Sequence, residues 1–419
     1  MSEPGTREGR MTTATPLLGN EPGPGLPASE QVQLGSDPPA MPDDGVDVQV
    51  SRSLPPASAA WRSAATAAVA ARAVLISVAY LAAWLLADGS GPFREGALGI
   101  WNKWDASHLL TIAQHGYFAP ESDAHAAAFF PLFPMVTGLL LRVLGEPVVA
   151  GMIVSGVAAV VAGRYLYGLS EMEQVGSGRR AVVYLAFFPT ALFLVAPYTE
   201  AMFIAGATAA FYFAKQKRWL LVALPAAIAV GTRAAGVFLL AGLAVEFLAQ
   251  REFARDKVRD AATALVAGFL PLVAYFIYLQ QRTGNLFYYF QMQEEGWGRS
   301  FTDPRASFLL TWRTWNDATA TNWMMVWRLE IIAALLGLLA VGWAWHRREW
   351  GYATYMGLSL AALLTSTWYF SIPRMMLSFF PIALFMATAR RIPHDYALAA
   401  FVGFATLGAV VYTKGAWFF

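Results

Sequence analysis

The sequence predicts an all-α protein threaded repeatedly through a lipid bilayer, and three observations carry that expectation. Apolar residues make up 57% of the 419-residue chain and charged residues only 14%, against roughly 25% charged in a soluble domain. Long apolar runs recur from residue 66 to residue 412. Short basic segments fall between alternate pairs of these runs, as the positive-inside rule describes. A water-soluble globular enzyme is thereby excluded, and a net charge of +2 argues against a nucleic-acid binder. With no cysteine in the chain, disulfides, thiolate nucleophiles and Cys-ligated metals are excluded as well.

Residues 1–60 hold ten of the 23 prolines, many Gly, Ser and acidic residues and no aromatic residue. Such a segment buries too little surface to offset its ordering entropy, so a disordered cytoplasmic tail is expected there. It lacks the basic-then-apolar order of a secretory signal, and the first apolar run, 66–87, is long enough to stay in the membrane, so no targeting peptide is expected to be removed. Residues 61–419 form one transmembrane domain on this reading.

The apolar runs are 66–87, 129–145, 149–168, 181–197, 199–214, 219–231, 235–249, 261–280, 327–345, 351–370, 375–389 and 397–412. None shows the alternation of a barrel strand, so helices are expected throughout. The basic loops are Lys215, Lys217 and Arg218, then Arg251, Arg255, Lys257 and Arg259, then Arg347 and Arg348, then Arg390 and Arg391. All fall on the cytoplasmic side, with Arg179 and Arg180, if 129–145 does not cross fully. That run is short and contains Pro131, Pro134 and Arg142, which suits an interfacial or re-entrant segment. About eleven spans with a cytoplasmic N-terminus follow. Loop 88–128, the Pro197–Glu200 turn, the Thr232–Arg233 turn, loop 282–326 and Ser371–Arg374 then share the external side.

Chemistry is expected where polar residues gather on that side. In Trp101 to Tyr117, helical spacing would align Trp101, Trp104, His108 and Ile112, with Asp105 beside His108. This reads either as an aromatic anchor in the headgroup region or as a carboxylate presented to a surface reaction. Glu200 at the mouth of an apolar helix reads either as an N-terminal cap shared with Thr199 or as a functional acid. Arg233 and Arg374 stand between apolar runs with no acidic neighbour in sequence. They suit a phosphate or carboxylate, or they snorkel to headgroups. Neither a dinucleotide fingerprint nor a P-loop occurs, no metal spacing is present, and Glu294, Glu295 and Asp303 give only a weak cation signal.

The string Trp-Asp-Ala-x-His-x-Leu-x-Ile-Ala-x-His-Gly-Tyr at 104–117, followed by Ala-Phe-Phe-Pro-x-Phe-Pro at 128–134, closely resembles the first luminal loop of the PIG-V family of mannosyltransferases. Pro197 to Phe203, Gly231-Thr232-Arg233-x-x-Gly236, and Pro373-Arg374 with Phe380-Pro381 are similar to it too. The resemblance runs from about residue 66 to the end of the chain. It implies a GT-C glycosyltransferase fold and a polyprenyl-phosphate-mannose donor used on the non-cytosolic face. On that footing Asp105 is the candidate general base and Arg374, then Arg233, the candidates for the phosphate leaving group. Glu200 and His108 position sugar hydroxyls or orient Asp105, and Lys103, Trp104 and Tyr198 belong to the donor-binding set. No metal or cofactor is required, because the leaving phosphate is already a stable anion.

A single displacement would invert the anomeric centre and give an α-mannoside. The acceptor expected is a glycolipid or cell-envelope glycan, with Tyr288, Tyr289, Trp297, Trp312, Trp315 and Trp323 offered either for sugar stacking or as an interfacial belt. Ala/Gly-rich helices and the Pro-rich tail point to a bacterial cell membrane. The alternatives are a GT-C enzyme for another sugar, such as glucose or arabinose, and a transporter or flippase for a lipid-linked substrate. The latter would favour mid-membrane charges and internal repeats, and the sequence shows no repeat.

Overall fold

The structure, a computed structural model, describes residues 56–85, 96–318 and 321–418. Most of the expected tail therefore lies outside the described residues, as does part of loop 88–128. The helices are α1 (Ala57–Leu85), α2 (Asp105–His115), α3 (Leu132–Leu144), α4 (Pro147–Glu173), α5 (Gly178–Ala186), α6 (Glu200–Lys215), α7 (Ala223–Thr232) and α8 (Ala235–Gln250). There follow α9 (Arg255–Thr283), α10 (Tyr288–Trp297), α11 (Pro304–Asp317), α12 (Thr321–His346), α13 (Trp350–Leu364), α14 (Ile372–Ser378), α15 (Pro381–Thr388) and α16 (His394–Thr413). Among the described residues there is no strand, only an isolated bridge between Phe301 and Ser366.

Five of these helices, α1, α4, α9, α12 and α16, are long and apolar enough to cross a membrane. Leucines and valines on their outer faces, such as Val266 and Leu339, stay exposed, as lipid-facing surface would. This is the helix inventory of a multi-pass membrane protein. Elsewhere the apolar runs break into shorter pieces. The run 181–197 was expected as one helix, but α5 stops at Ala186 and a 3₁₀ turn, Ala191–Leu194, follows. Pro189 lacks a backbone donor and disfavours helical geometry at Phe188, so the helix cannot continue. Pro381 similarly divides 375–389 between α14 and α15, where it occupies the first turn of α15. Helix α3, at 13 residues, reaches roughly 20 Å, short of a hydrocarbon core of about 30 Å. That length suits the interfacial or re-entrant segment expected there.

Helix α6 lies at the centre, with α4, α7 and α8 around it and nearly every residue buried. Small residues permit this closeness. A Cβ on Gly206 would meet Pro225 O of α7 at 2.7 Å, and one on Gly163 would touch Ala64 of α1 at 3.0 Å. Such backbone approach is how helices associate where lipid removes the hydrophobic drive. One end of α6 carries Glu200. At the other, Lys215 Nζ donates to Glu349 at 2.5 Å and lies 3.5 Å from Glu246, joining α6, α8 and α13.

Candidate active site

Four segments distant in sequence meet at the Glu200 end of α6. The first is the start of α2. Trp101 to Tyr117 was expected as a continuous amphipathic helix, but the helix begins only at Asp105. Trp104 takes a left-handed φ of 56° as its N-cap, and Trp101 belongs to a separate 3₁₀ turn. Trp101 is buried edge-on to Tyr80 and beside Tyr412, so it is a core residue and not a headgroup anchor. The break has a consequence for Asp105. Its carboxylate stands in the first turn, where the helix dipole favours negative charge.

The second and third segments supply Glu200 and Arg233. Thr199 precedes α6 without a side-chain cap, so the capping role weighed for Thr199 and Glu200 is not what their side chains do. Both instead face Arg233, whose Nη1 donates to Thr199 Oγ1 at 3.0 Å and to Glu200 Oε1. Arg233 ends α7 in an extended conformation. The turn into α8 needs Gly236, because a Cβ there would lie 2.7 Å from Val230 N.

The fourth segment is α14. Ser371 has a φ of 65°, and the Ser371 and Ile372 amides donate to the two oxygens of Glu330 in α12 at 2.7 and 2.8 Å. This fixes Arg374 in the first turn beyond. Arg374 Nη1 donates to Asp105 Oδ2 at 2.5 Å, and its Nε donates to Glu200 Oε1. The guanidinium lies over the rings of Phe193 and Tyr198, 4.8 and 4.7 Å from their centres. The two arginines therefore have the acidic partners in space that they lacked in sequence.

Burial pushes the Asp105 carboxyl up, but the Arg374 guanidinium overrides it and, with His108 and Arg299, holds it below the usual carboxylate value. Burial alone would lower the Arg374 pKa; Glu200 and Asp105 reverse the sign and raise it. Asp105 is thus held ionised.

A cavity of about 90 Å³ opens beside this cluster. Asp105, Arg233, Arg299 and Arg374 supply its charge, Gln293 and Ser371 its neutral polarity, and Phe129, Trp297, Phe370 and Trp417 its aromatic walls. Glu200 is fully buried behind the arginines and does not line it. His108 stacks on Phe129 and meets Trp297 edge-on, so it supports the wall. Trp104 packs edge-on against Trp417. Lys103 Nζ donates to Thr413 O at 2.8 Å, and Lys103 O accepts from Tyr198 at 3.2 Å; both bonds fasten the site to neighbouring segments. Tyr117 and Tyr275 donate to Phe129 O at 2.9 and 3.0 Å, which pins the Phe-Phe-Pro segment as cavity wall.

The aromatics of 282–326 separate. Trp297 lines the cavity, Tyr289 is buried against Phe130, and Trp312 packs on Trp315. Tyr288 lies beside Phe118, and the side chain of Trp323 is outside the described residues. Asp303 accepts from the Arg305 and Ala306 amides at 3.0 and 3.1 Å, so it caps α11. Sequence reasoning missed Gln293, Arg299, Glu330, Phe370 and Trp417. Only Glu330 left a signal, as an acid inside the apolar run 327–345.

No family model matches the chain. Three proteins named GPI alpha-1,6-mannosyltransferase 2 are similar to part of it. The one from Cricetulus griseus is 35% identical over 26% of this chain, that from Mus musculus 30% over 35%, and that from Homo sapiens 31% over 26%. The chain spans only 24%, 31% and 24% of their respective lengths.

Proposed function

We propose that this protein is a membrane-embedded mannosyltransferase of GT-C architecture. It moves mannose from polyprenyl-phosphate-mannose to a hydroxyl of a glycolipid or cell-envelope glycan on the extracytoplasmic face of a bacterial membrane. The observation that carries this reading is the convergence of Asp105, Arg233 and Arg374 on one cavity, from the segments that resemble the mannosyltransferase family. The partial similarity to the three named mannosyltransferases supports it. A transporter needs charge distributed along a path, whereas the candidate residues here gather at one end of α6.

The chemistry follows from what each group can do. Asp105 accepts the acceptor hydroxyl's proton as that oxygen bonds to the anomeric carbon. The bond from that carbon to the phosphate oxygen breaks through an oxocarbenium-like transition state, and its electron pair leaves on the phosphate. One displacement inverts the centre, giving an α-mannoside from a β-linked donor. The guanidinium-lined cavity receives the phosphate charge, so no general acid is needed. Arg374, held between Asp105 and Glu200, keeps the base ionised until the acceptor's proton reaches it.

The test is direct. Purified protein in lipid nanodiscs is given radiolabelled polyprenyl-phosphate-mannose with bacterial membrane glycolipid, and both mannolipid and released polyprenyl phosphate are measured. Coupled appearance of the two is expected. Donor that moves across the bilayer intact, with neither product formed, would overturn the enzyme in favour of a flippase. Turnover only with a polyprenyl-phosphate glucose or arabinose would reassign the sugar.

A further inference from the structure

The three arginines on the cavity are not equivalent. Arg374 is held by two carboxylates, Asp105 and Glu200, and Arg233 by Glu200 and the Thr199 hydroxyl. Arg299 is half-buried on the same wall with no carboxylate within salt-bridge distance among the described residues. Among the described residues its side chain donates only to Phe370 O, at a long 3.4 Å, and it rests 5.7 Å from the centre of that residue's ring. Glu330, whose field also reaches Arg299, has both oxygens occupied by backbone amides.

A guanidinium carries five N–H donors in a planar fork, and one weak carbonyl leaves most of them unused. Burial lowers the Arg299 pKa from its usual value, and the more distant charges of Asp105 and Glu330 only partly offset it. An oxyanion reaching Arg374 or Arg233 must compete with carboxylates already in place. One reaching Arg299 displaces nothing ionic. Backbone geometry also presents this residue: Gly298, with a φ of 60°, ends α10 immediately before it, and Arg299 N donates to Gln293 O at 3.1 Å. Gln293 Nε2 donates to Ala128 O at 2.9 Å, tying the end of α10 to another lining segment of the cavity. The cavity's about 90 Å³ exceeds the roughly 10–15 Å³ that one water needs, so several water-sized groups fit.

We propose that Arg299 is the principal phosphate-binding residue of this cavity, gripping a phosphate ester by its guanidinium fork while Arg374 stays committed to Asp105 and Glu200. The assignment deepens the mannosyl-transfer reading by naming the residue that holds the donor's phosphate, and rests on that reading only for the identity of the ester.

The experiment measures binding by the full-length protein in nanodiscs, using citronellyl phosphate as a short isoprenyl phosphate, inorganic phosphate as the free anion and citronellol as the uncharged control. Arg299→Gln should weaken citronellyl phosphate about 10–100-fold, the loss expected for a charge-assisted hydrogen bond. Arg299→Lys, which keeps charge but not the fork, should lose several-fold. Arg305→Gln on exposed α11 should leave binding unchanged, and citronellol should show no dependence on Arg299.

Dependence for citronellyl phosphate alone assigns a lipid phosphate; equal dependence for inorganic phosphate assigns the phosphate group itself. Unchanged citronellyl phosphate affinity in a folded Arg299→Gln protein overturns the proposal. If that variant does not fold, unchanged affinity in Arg299→Lys overturns it. Arg299-dependent binding without mannose transfer leaves this assignment standing and removes the mannosyltransferase reading. Transfer with Arg299-independent binding does the reverse.

Discussion

Arg374 faces two carboxylates at once, and this arrangement governs how the site titrates. Asp105 serves as base only when ionised, so activity should fall as pH drops through its pKa. Because Arg374 depresses that pKa, Arg374→Gln should move the acidic limb of kcat/KM toward higher pH as well as lower the rate. An unshifted limb would mean that another group sets it. Asp105→Asn should cost about 10²–10⁴-fold in turnover, with the melting temperature close to wild type because Arg374 keeps Glu200. Wild-type turnover in that variant would remove Asp105 from the mechanism. Glu200 behaves differently, being buried with two guanidinium partners and without access to the cavity. Glu200→Gln should destabilise the protein by about 3–5 kcal/mol, as loss of one member of a buried charge cluster does. Thermal unfolding that matches wild type would instead give Glu200 a purely kinetic role.

At the scale of elements, the site is built from interrupted helices. Prolines and left-handed residues end or begin helices at Trp104, Pro189, Ser371 and Pro381, and the breaks at Trp104 and Ser371 start the helices that carry Asp105 and Arg374 to the cavity. Glu330 is the clearest case of support from a neighbouring element. Both of its oxygens hold the amides that begin α14. Glu330→Ala should cost about 1–3 kcal/mol for each buried donor left unpaired. It should also reduce donor-dependent turnover, although Glu330 does not line the cavity, because Arg374 follows directly. Hydrogen exchange confined to 371–378 would locate the effect; protection equal to wild type there would count against it.

Across the whole molecule, charge separates to the two ends of α6. The arginine cluster surrounds Glu200, while Lys215, Glu246 and Glu349 close the other end. At about 1.5 Å per residue, the 16 residues of α6 hold the two groups roughly 24 Å apart. Single cysteines placed at Ser122 and Ser300 should therefore react with an impermeant reagent from one side of the membrane. Cysteines at Gln216 and Arg348 should react only from the other. Labelling of Ser122 and Gln216 positions from the same side would defeat the topology and, with it, the extracytoplasmic site.

The sequence by itself determined the solvent the protein lives in, its helical class and the candidates Asp105, Glu200, Arg233 and Arg374. Composition, run length and motif spacing are local quantities and survive without a fold. Several things only the tertiary structure decided. The arginines' partners lie on other helices, so sequence neighbours could not reveal that Arg374 restrains Asp105 or that Glu200 is sealed behind both. Helix α2 starts at Asp105 and not at Trp101, because packing of Trp101 into the core overrode a spacing that fitted an amphipathic helix. Arg299 looked like any loop arginine beside Arg282, Arg305 and Arg313. What distinguishes it is a place on the cavity wall without a carboxylate partner, and only the folded chain creates that wall.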